Sequence, residues 1–241
     1  MISFQGPVIR HAPQLDVGYA VVEGMQWKKT DSFLSEYRRR VQVKTQSTCS
    51  LEELKKVPAV RCFRDLYWLF QMDPTKMRPS AEALARRVLS GGHLPSVDSV
   101  VDCVNCVSLN HLLPISCFDK HSLSGSLCVR RAQKSEVFTT LARMEKVLQG
   151  GELVVSDTEK IVCLGYASMD AWETRVQPLT QDVILMVYRA PGINLESVSA
   201  CLREVCDLLI AVNGGCLCQV QIGIREQEEG LLSSEKMRQT G

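Results

Sequence analysis

Between Asp73 and Asp119 the chain reads DPTKMRPSAEALARRVLSGGHLPSVDSVVDCVNCVSLNHLLPISCFD, and more local signals agree here than anywhere else in the sequence. Pro74 and Pro79 bracket the approach to a helix start. Ser80 is positioned to cap it, its hydroxyl accepting from a free first-turn N–H. Glu82 suits the positive end of that helix, and Arg86 and Arg87 suit the negative end. Leu84, Val88 and Leu89 recur at helical spacing, and Gly91-Gly92 supply a left-handed stop. A second helix is expected to start near Ser96 or Asp98 and run to about Asn110. Pro114 closes it, and ISCFD must then return close beside the helix it has left. Residues before this segment read as a lead-in, and residues after it read as sheet.

In the lead-in, Val17 to Gly24 (VGYAVVEG) is a short apolar run between turn residues, expected to be a buried strand. Asp31 caps a helix on which Phe33, Leu34, Tyr37 and Val41 share a face, with Arg38 to Arg40 beside it. Ser50 to Glu53 has the spacing of a capping box. Pro58 restarts the helix, and Val60, Phe63, Tyr67 and Phe70 then recur at helical spacing. In the second half the period changes. SLCVRR (126–131), Glu152 to Ser156 and Lys160 to Tyr166 alternate, and Asp182 to Tyr188 reads as a fully buried strand. One long helix, from about Asn194 to Val212, carries an apolar stripe that stops at Gly214. Cys216, Cys218, Val220, Ile222 and Ile224 then fall on every second position. Helices early and strands late, with no repeat and no linker, argue for an α+β fold in one domain over 1–225. The subdivision is a lead-in at 1–72, a core at 73–190 and a closing helix and strand at 191–225. The polar stretch 226–241 is expected to be disordered.

The formal charge of +1 over 241 residues excludes a protein held on nucleic acid by its overall field, so RNA would be met at a local patch and DNA is not expected. No apolar run is long enough for a membrane helix and no signal-peptide layout is present. The eleven cysteines, mostly set among Val, Leu and Ile, read as reduced thiols of a soluble cytoplasmic protein rather than as a disulfide framework. A four-thiolate zinc site built from Cys103, Cys106, Cys216 and Cys218 is disfavoured. The first pair falls on an apolar helix, and the second lacks the usual ligand spacing. No Cys–His signature and no phosphate-cradling glycine loop occurs, so no metal or cofactor is expected. The basic groups Arg86-Arg87 and Arg130-Arg131 with Lys134 can contact phosphates or form ordinary solvated faces. Asp102 and Asn105, lying among Val100, Val101, Val104 and Val107, need polar partners. For Asp102 the expected role is to lock the turn that ends at Asp119.

At these residues the sequence resembles the B3/B4 tRNA-binding domain, the editing module of the phenylalanyl-tRNA synthetase beta subunit, also found as freestanding proteins. The resemblance is carried, in order, by MRPSAEALARRVL, HLPSVDSVVDCVNCVSLNHLLPISCFD, LCVRRA, GELVVSD and LTQDVILMV. It implies a mixed β-sheet packed by helices, binding of the aminoacylated 3′ end of tRNA, and hydrolysis of the ester of mischarged or non-standard aminoacyl-tRNA. Nothing resembles the synthetase's catalytic core, so aminoacylation is not implied. By position, Asn105 matches the asparagine of the helix lining the editing pocket. Ser116 falls where the synthetase has a histidine, and Glu173 falls close to its tyrosine-reading glutamate. These three are the implied catalytic residues. Arg78 and Ser80 match an RPS motif, and Val104, Asp170 and Thr174 fall at the pocket. All five are implied substrate contacts, with Arg86, Arg87, Arg130, Arg131 and Lys134 implied on the RNA. Val104 replaces a threonine or asparagine, and Met169 and Ala171 replace an arginine and a serine. These losses of polarity leave an alternative open, a non-catalytic RNA- or protein-binding module on the same fold.

Overall fold

The computed structural model describes residues 2–166 and 168–224. The stretch expected to be disordered, 226–241, lies outside the described residues. The strands are β1 (Ile2–Phe4), β2 (Asp16–Glu23), β3 (Ile115–Asp119), β4 (Leu127–Arg131), β5 (Val137–Thr139), β6 (Glu145–Val147), β7 (Leu153–Ser156), β8 (Ile161–Leu164), β9 (Met169–Asp170), β10 (Val183–Arg189) and β11 (Cys216–Gln221). The helices are α1 (Gly6–His11), α2 (Ser32–Thr48), α3 (Pro58–Leu69), α4 (Ser80–Leu89), α5 (Ser99–His111) and α6 (Leu195–Asn213).

The fold is α+β, with mixed sheets packed by helices. An antiparallel sheet runs in the order β11-β2-β10-β3, and a second sheet in the order β1-β4-β7-β8-β9, in which the β1–β4 pair is parallel. β5 and β6 form a separate hairpin. β10 explains the centre of the first sheet. Its residues from Val183 to Tyr188 are all buried, as their unbroken hydrophobicity requires of a strand covered on both faces. It pairs with β2 on one side and β3 on the other, with Met186 opposite both Tyr19 and Ser116. α6 lies across β2 and β10 and packs against α5. Gly18 permits that approach, because a Cβ there would stand 2.8 Å from Val198 of α6. Each large aliphatic side chain buried in this way contributes about 1.5–3 kcal/mol.

Several helix ends match their sequence signals. Asp31 accepts from the Leu34 N–H, and Gly91 takes the left-handed conformation (φ 83°) just past α4. Asp98 Oδ1 accepts from both Val100 N–H (3.0 Å) and Val101 N–H (2.9 Å), which fixes the start of α5 at Ser99. The Ser50–Glu53 box forms, but it caps a single 3-10 turn at Leu54–Lys56 before Pro58 opens α3.

Three expectations are corrected. Ser80 is not the cap of α4. The cap position is Pro79, whose carbonyl takes the first helical bond from Ala83 N–H, and the Ser80 hydroxyl is buried without a partner among the described residues. Glu82 stands in the first turn of α4, as expected. It is buried and binds Arg64 (2.9 Å) and Arg86 (2.8 Å), which offsets the cost of placing its charge inside. Asp102 locks a different loop from the one expected. It accepts from Val97 N–H, Ser96 Oγ and Arg38, and so ties down the approach to its own helix. β11 does not keep a strict alternation. A bulge between Leu217 and Gln219 shifts its register on β2, and both Cys216 and Cys218 are exposed. On α2, Leu34 and Val41 are buried as expected, whereas Phe33 is 54% exposed.

Candidate functional site

One cleft of about 500 Å³ opens between α5, β3 and the segment after β8. Its first wall is a face of α5 and the residues leading into it: Val97, Asp98, Val101, Val104 and Asn105, which recur at three- and four-residue spacing. Its floor is the start of β3, with Ile115, Ser116 and Cys117. This strand returns under α5 because Leu112 adopts a left-handed conformation (φ 53°) and Ser108 Oγ donates to Leu113 O at 2.8 Å. The far wall is Met169, Asp170, Trp172, Arg175 and Val176, and Ser80 and Leu141 close the ends. The lining is largely apolar with a few convergent polar groups, as in small-molecule sites generally.

The polar groups on the floor are connected. Ser116 Oγ donates to Asp170 Oδ1 at 2.6 Å, and Tyr188 Oη donates to Ser116 Oγ at 2.9 Å. The Tyr188 ring is held edge-on by Tyr166, with centroids 4.6 Å apart. Burial pushes the Asp170 carboxyl up to about 6, with hydrogen bonds from Ser116, Cys163 and the Cys117 backbone pulling the other way. A carboxyl with that pKa exchanges protons near neutrality, which an exposed aspartate does not do. Asn105 faces the cleft, and its side-chain amide has no hydrogen-bond partner among the described residues.

Of the residues singled out from the sequence, Ser80, Val104, Asn105, Ser116 and Asp170 meet in this cleft. Arg78, Glu173 and Thr174 are not on its lining. Arg78 is exposed, and its carbonyl accepts from Ser168 Oγ at 2.9 Å, so it joins the approach to α4 to the far wall. Glu173 is exposed, and Thr174 is fully buried with its hydroxyl unpartnered among the described residues. The basic groups also lie off the lining. Arg86 is paired with Glu82, Arg130 is held in a fork by Glu136 (2.9 and 2.8 Å), and Arg87 donates to His93 O. Arg131 stacks on Phe70, and Lys134 is exposed. Sequence reasoning read Asp98 only as a helix start and missed Trp172, Arg175 and Tyr188. Trp172 sits inside DAWET and Tyr188 ends the buried strand DVILMVY, but neither pattern says which way a side chain faces.

Among the described residues no group of three or more His, Cys, Asp or Glu side chains could hold a metal. Burial pushes the Cys103 and Cys106 thiols well up, Cys106 to about 12, so neither is a ready thiolate. Among the described residues no helix is long and apolar enough to cross a membrane.

The B3/4 domain family model matches residues 63–211, the span that contains α5, β3, Asp170 and the whole cleft. The chain belongs to the B3/4 domain family. The phenylalanine–tRNA ligase beta subunit of Fusobacterium nucleatum is 26% identical over 163 residues, covering 58% of this chain and 20% of that protein. The same subunit of Shouchella clausii is 31% identical over 173 residues, covering 62% of this chain and 21% of that protein. This B3/4 chain therefore spans about a fifth of the length of these relatives. A crystal structure of an N-terminal fragment of the phenylalanyl-tRNA synthetase beta subunit from Pyrococcus horikoshii aligns with a TM-score of 0.47 at 16% identity. It covers 90% of this chain and 50% of the fragment.

Proposed function

We propose that this B3/4 domain chain binds the aminoacylated 3′ end of tRNA and hydrolyses the ester of mischarged or non-standard aminoacyl-tRNA. The observation that carries this reading is the Ser116–Asp170 pair on the floor of an apolar cleft, with a carboxyl whose pKa is about 6. The apolar wall of Val101, Val104, Met169 and Val176 takes the amino-acid side chain. Asp170 acts as general base on a water, directly or through Ser116 Oγ, and the water oxygen attacks the ester carbonyl carbon. Because Tyr188 donates into Ser116, the serine proton is directed to Asp170. The serine therefore positions the base and is not the nucleophile. The side-chain amide of Asn105 donates to the developing oxyanion. When the tetrahedral intermediate collapses, the ribose oxygen leaves and takes the proton back from Asp170. Glu173, exposed and off the cleft lining, takes no part.

A second reading, a binding module without catalysis, is favoured by Val104 and Met169, which leave apolar surface on two facing walls of the cleft. Deacylation of a panel of correctly and incorrectly charged tRNAs separates the two. Hydrolysis of at least one ester well above its spontaneous rate, lost in Asp170→Asn, is the expected outcome. Binding with no hydrolysis of any pairing leaves the second reading.

A further inference from the structure

Arg175 on the far wall of the cleft and Arg143, packed against the same Trp172 ring, form no ion pair among the described residues. The Arg143 guanidinium lies 4.1 Å from the centre of the Trp172 ring and that of Arg175 lies 3.2 Å from it. Arg175 donates to Trp172 O at 2.7 Å and to Gln177 Oε1 at 3.0 Å, both neutral acceptors. The Arg143 side chain makes no hydrogen bond or ion pair among the described residues. Glu173 is the carboxylate whose field reaches Arg175, and it forms no ion pair with it. Burial, and then the Arg143 charge, hold Arg175 below its ordinary pKa, so the two cations are close enough to repel.

The fold imposes this arrangement. Arg143 sits in the turn between β5 and β6 in a left-handed conformation (φ 59°), closed by Arg143 N–H to Thr140 O at 2.8 Å. A bridge between Thr140 and Ala171 fastens the tip of that hairpin to the segment that carries Asp170 and Trp172. Two like charges packed against one indole are stabilised in part by its π-system, and among the described residues Arg143 keeps its N–H donors free. An anion beside the indole, within reach of both guanidinium groups, supplies the missing charge and accepts in the forked geometry that guanidinium groups offer to phosphate.

We infer that Arg143 and Arg175, stacked on Trp172, form a phosphodiester site for the 3′-terminal nucleotides of a single-stranded RNA whose acylated end enters the cleft. This rests on the reading of the cleft as an aminoacyl-ester pocket and adds what aligns the ester there. Trp172 and Arg175 line the same cleft as Ser116 and Asp170, so a phosphate beside them places the terminal ribose toward the floor. It also accounts for RNA binding by a chain with a net charge of only +1, because the positive charge is concentrated at two side chains.

The test is a titration of the full chain with the RNA tetranucleotide ACCA, uncharged, at several salt concentrations. Arg143→Ala and Arg175→Ala are each expected to weaken binding about tenfold. Each should also lower the slope of log affinity against log salt by about 0.7. Lys55→Ala, which removes one charge away from the cleft, should change affinity less than about twofold, the scale of a single screened surface charge. Because Arg175 also supports the Trp172 backbone, while Arg143 sits on an exposed turn and makes no side-chain hydrogen bond among the described residues, Arg143→Glu is the variant that disturbs the fold less, and it should abolish binding. Wild-type protein that does not bind ACCA, or binding that Arg143→Ala and Arg143→Glu leave unchanged, overturns the assignment. Because the probe carries no ester, ACCA binding through Arg143 and Arg175 without any deacylation sinks the hydrolase reading alone.

Discussion

Ser116 Oγ donates to Asp170 Oδ1 at 2.6 Å, joining β3 to β9 across 54 residues of sequence. Neither group is costly alone in a wet cleft. Together on an apolar floor, with Tyr188 bonded to the serine, they form a chain in which each member depends on the next.

The first consequence concerns stability against pH. The Asp170 carboxyl titrates at about 6 when folded and near its ordinary value of 3.8 when unfolded. Between those values the unfolded state has lost a proton that the folded state keeps. Stability from this group is therefore full at low pH, falls as pH rises toward 6, and stays reduced above it. Asp170→Asn removes that loss. The variant should be more stable than wild type at pH 7.5, by on the order of 3 kcal/mol, with the difference closing near pH 4. Urea denaturation of both proteins at the two pH values checks this, and a variant equally stabilised at both would show that the carboxyl does not titrate there.

Removing the middle of the chain has a different signature. Ser116→Ala leaves Asp170 Oδ1 and Tyr188 Oη each without this partner, and the expected loss is about 1–3 kcal/mol. Tyr188→Phe leaves the Ser116–Asp170 bond in place and should cost about 1 kcal/mol. The double variant should lose less than the sum of the two, as groups sharing one network do. Strictly additive losses in urea midpoints would count against a connected chain.

The wall of the cleft rests on a helix cap. Asp98 Oδ1 accepts two first-turn N–H groups of α5, so Asp98→Ala should destabilise the protein by about 1 kcal/mol, with Asp98→Asn retaining most of that. If alanine and asparagine prove equally costly, the carboxylate charge rather than the cap is what matters.

Much of the fold was legible, because burial on both faces and helix caps leave local marks. DVILMVY became β10, and Asp31, Asp98 and Gly91 act where their chemistry put them. Ser80 misled because Pro79, with its φ already fixed, supplies the carbonyl that starts α4. The β11 bulge left no mark in an alternating run. The site was legible only in part. Val104 and Asn105 share a helix face, and resemblance placed Ser116 and Asp170 near them. The bond between those two depends on β3 and β9 meeting in space, and Arg143 reaches Trp172 only through the Thr140–Ala171 bridge. Spacing along a chain does not encode either contact.

The most direct measurement is the single-turnover rate of deacylation against pH, from about 5 to about 8, on whichever mischarged tRNA the protein hydrolyses fastest. With Asp170 as general base, the rate should rise about tenfold per pH unit below about 6 and level off above it. Asp170→Asn should lose both the rate and the inflection, while still binding the tRNA. A wild-type profile without an inflection near the Asp170 pKa of about 6, or an Asp170→Asn variant as fast as wild type, would contradict the assignment of Asp170 as the base.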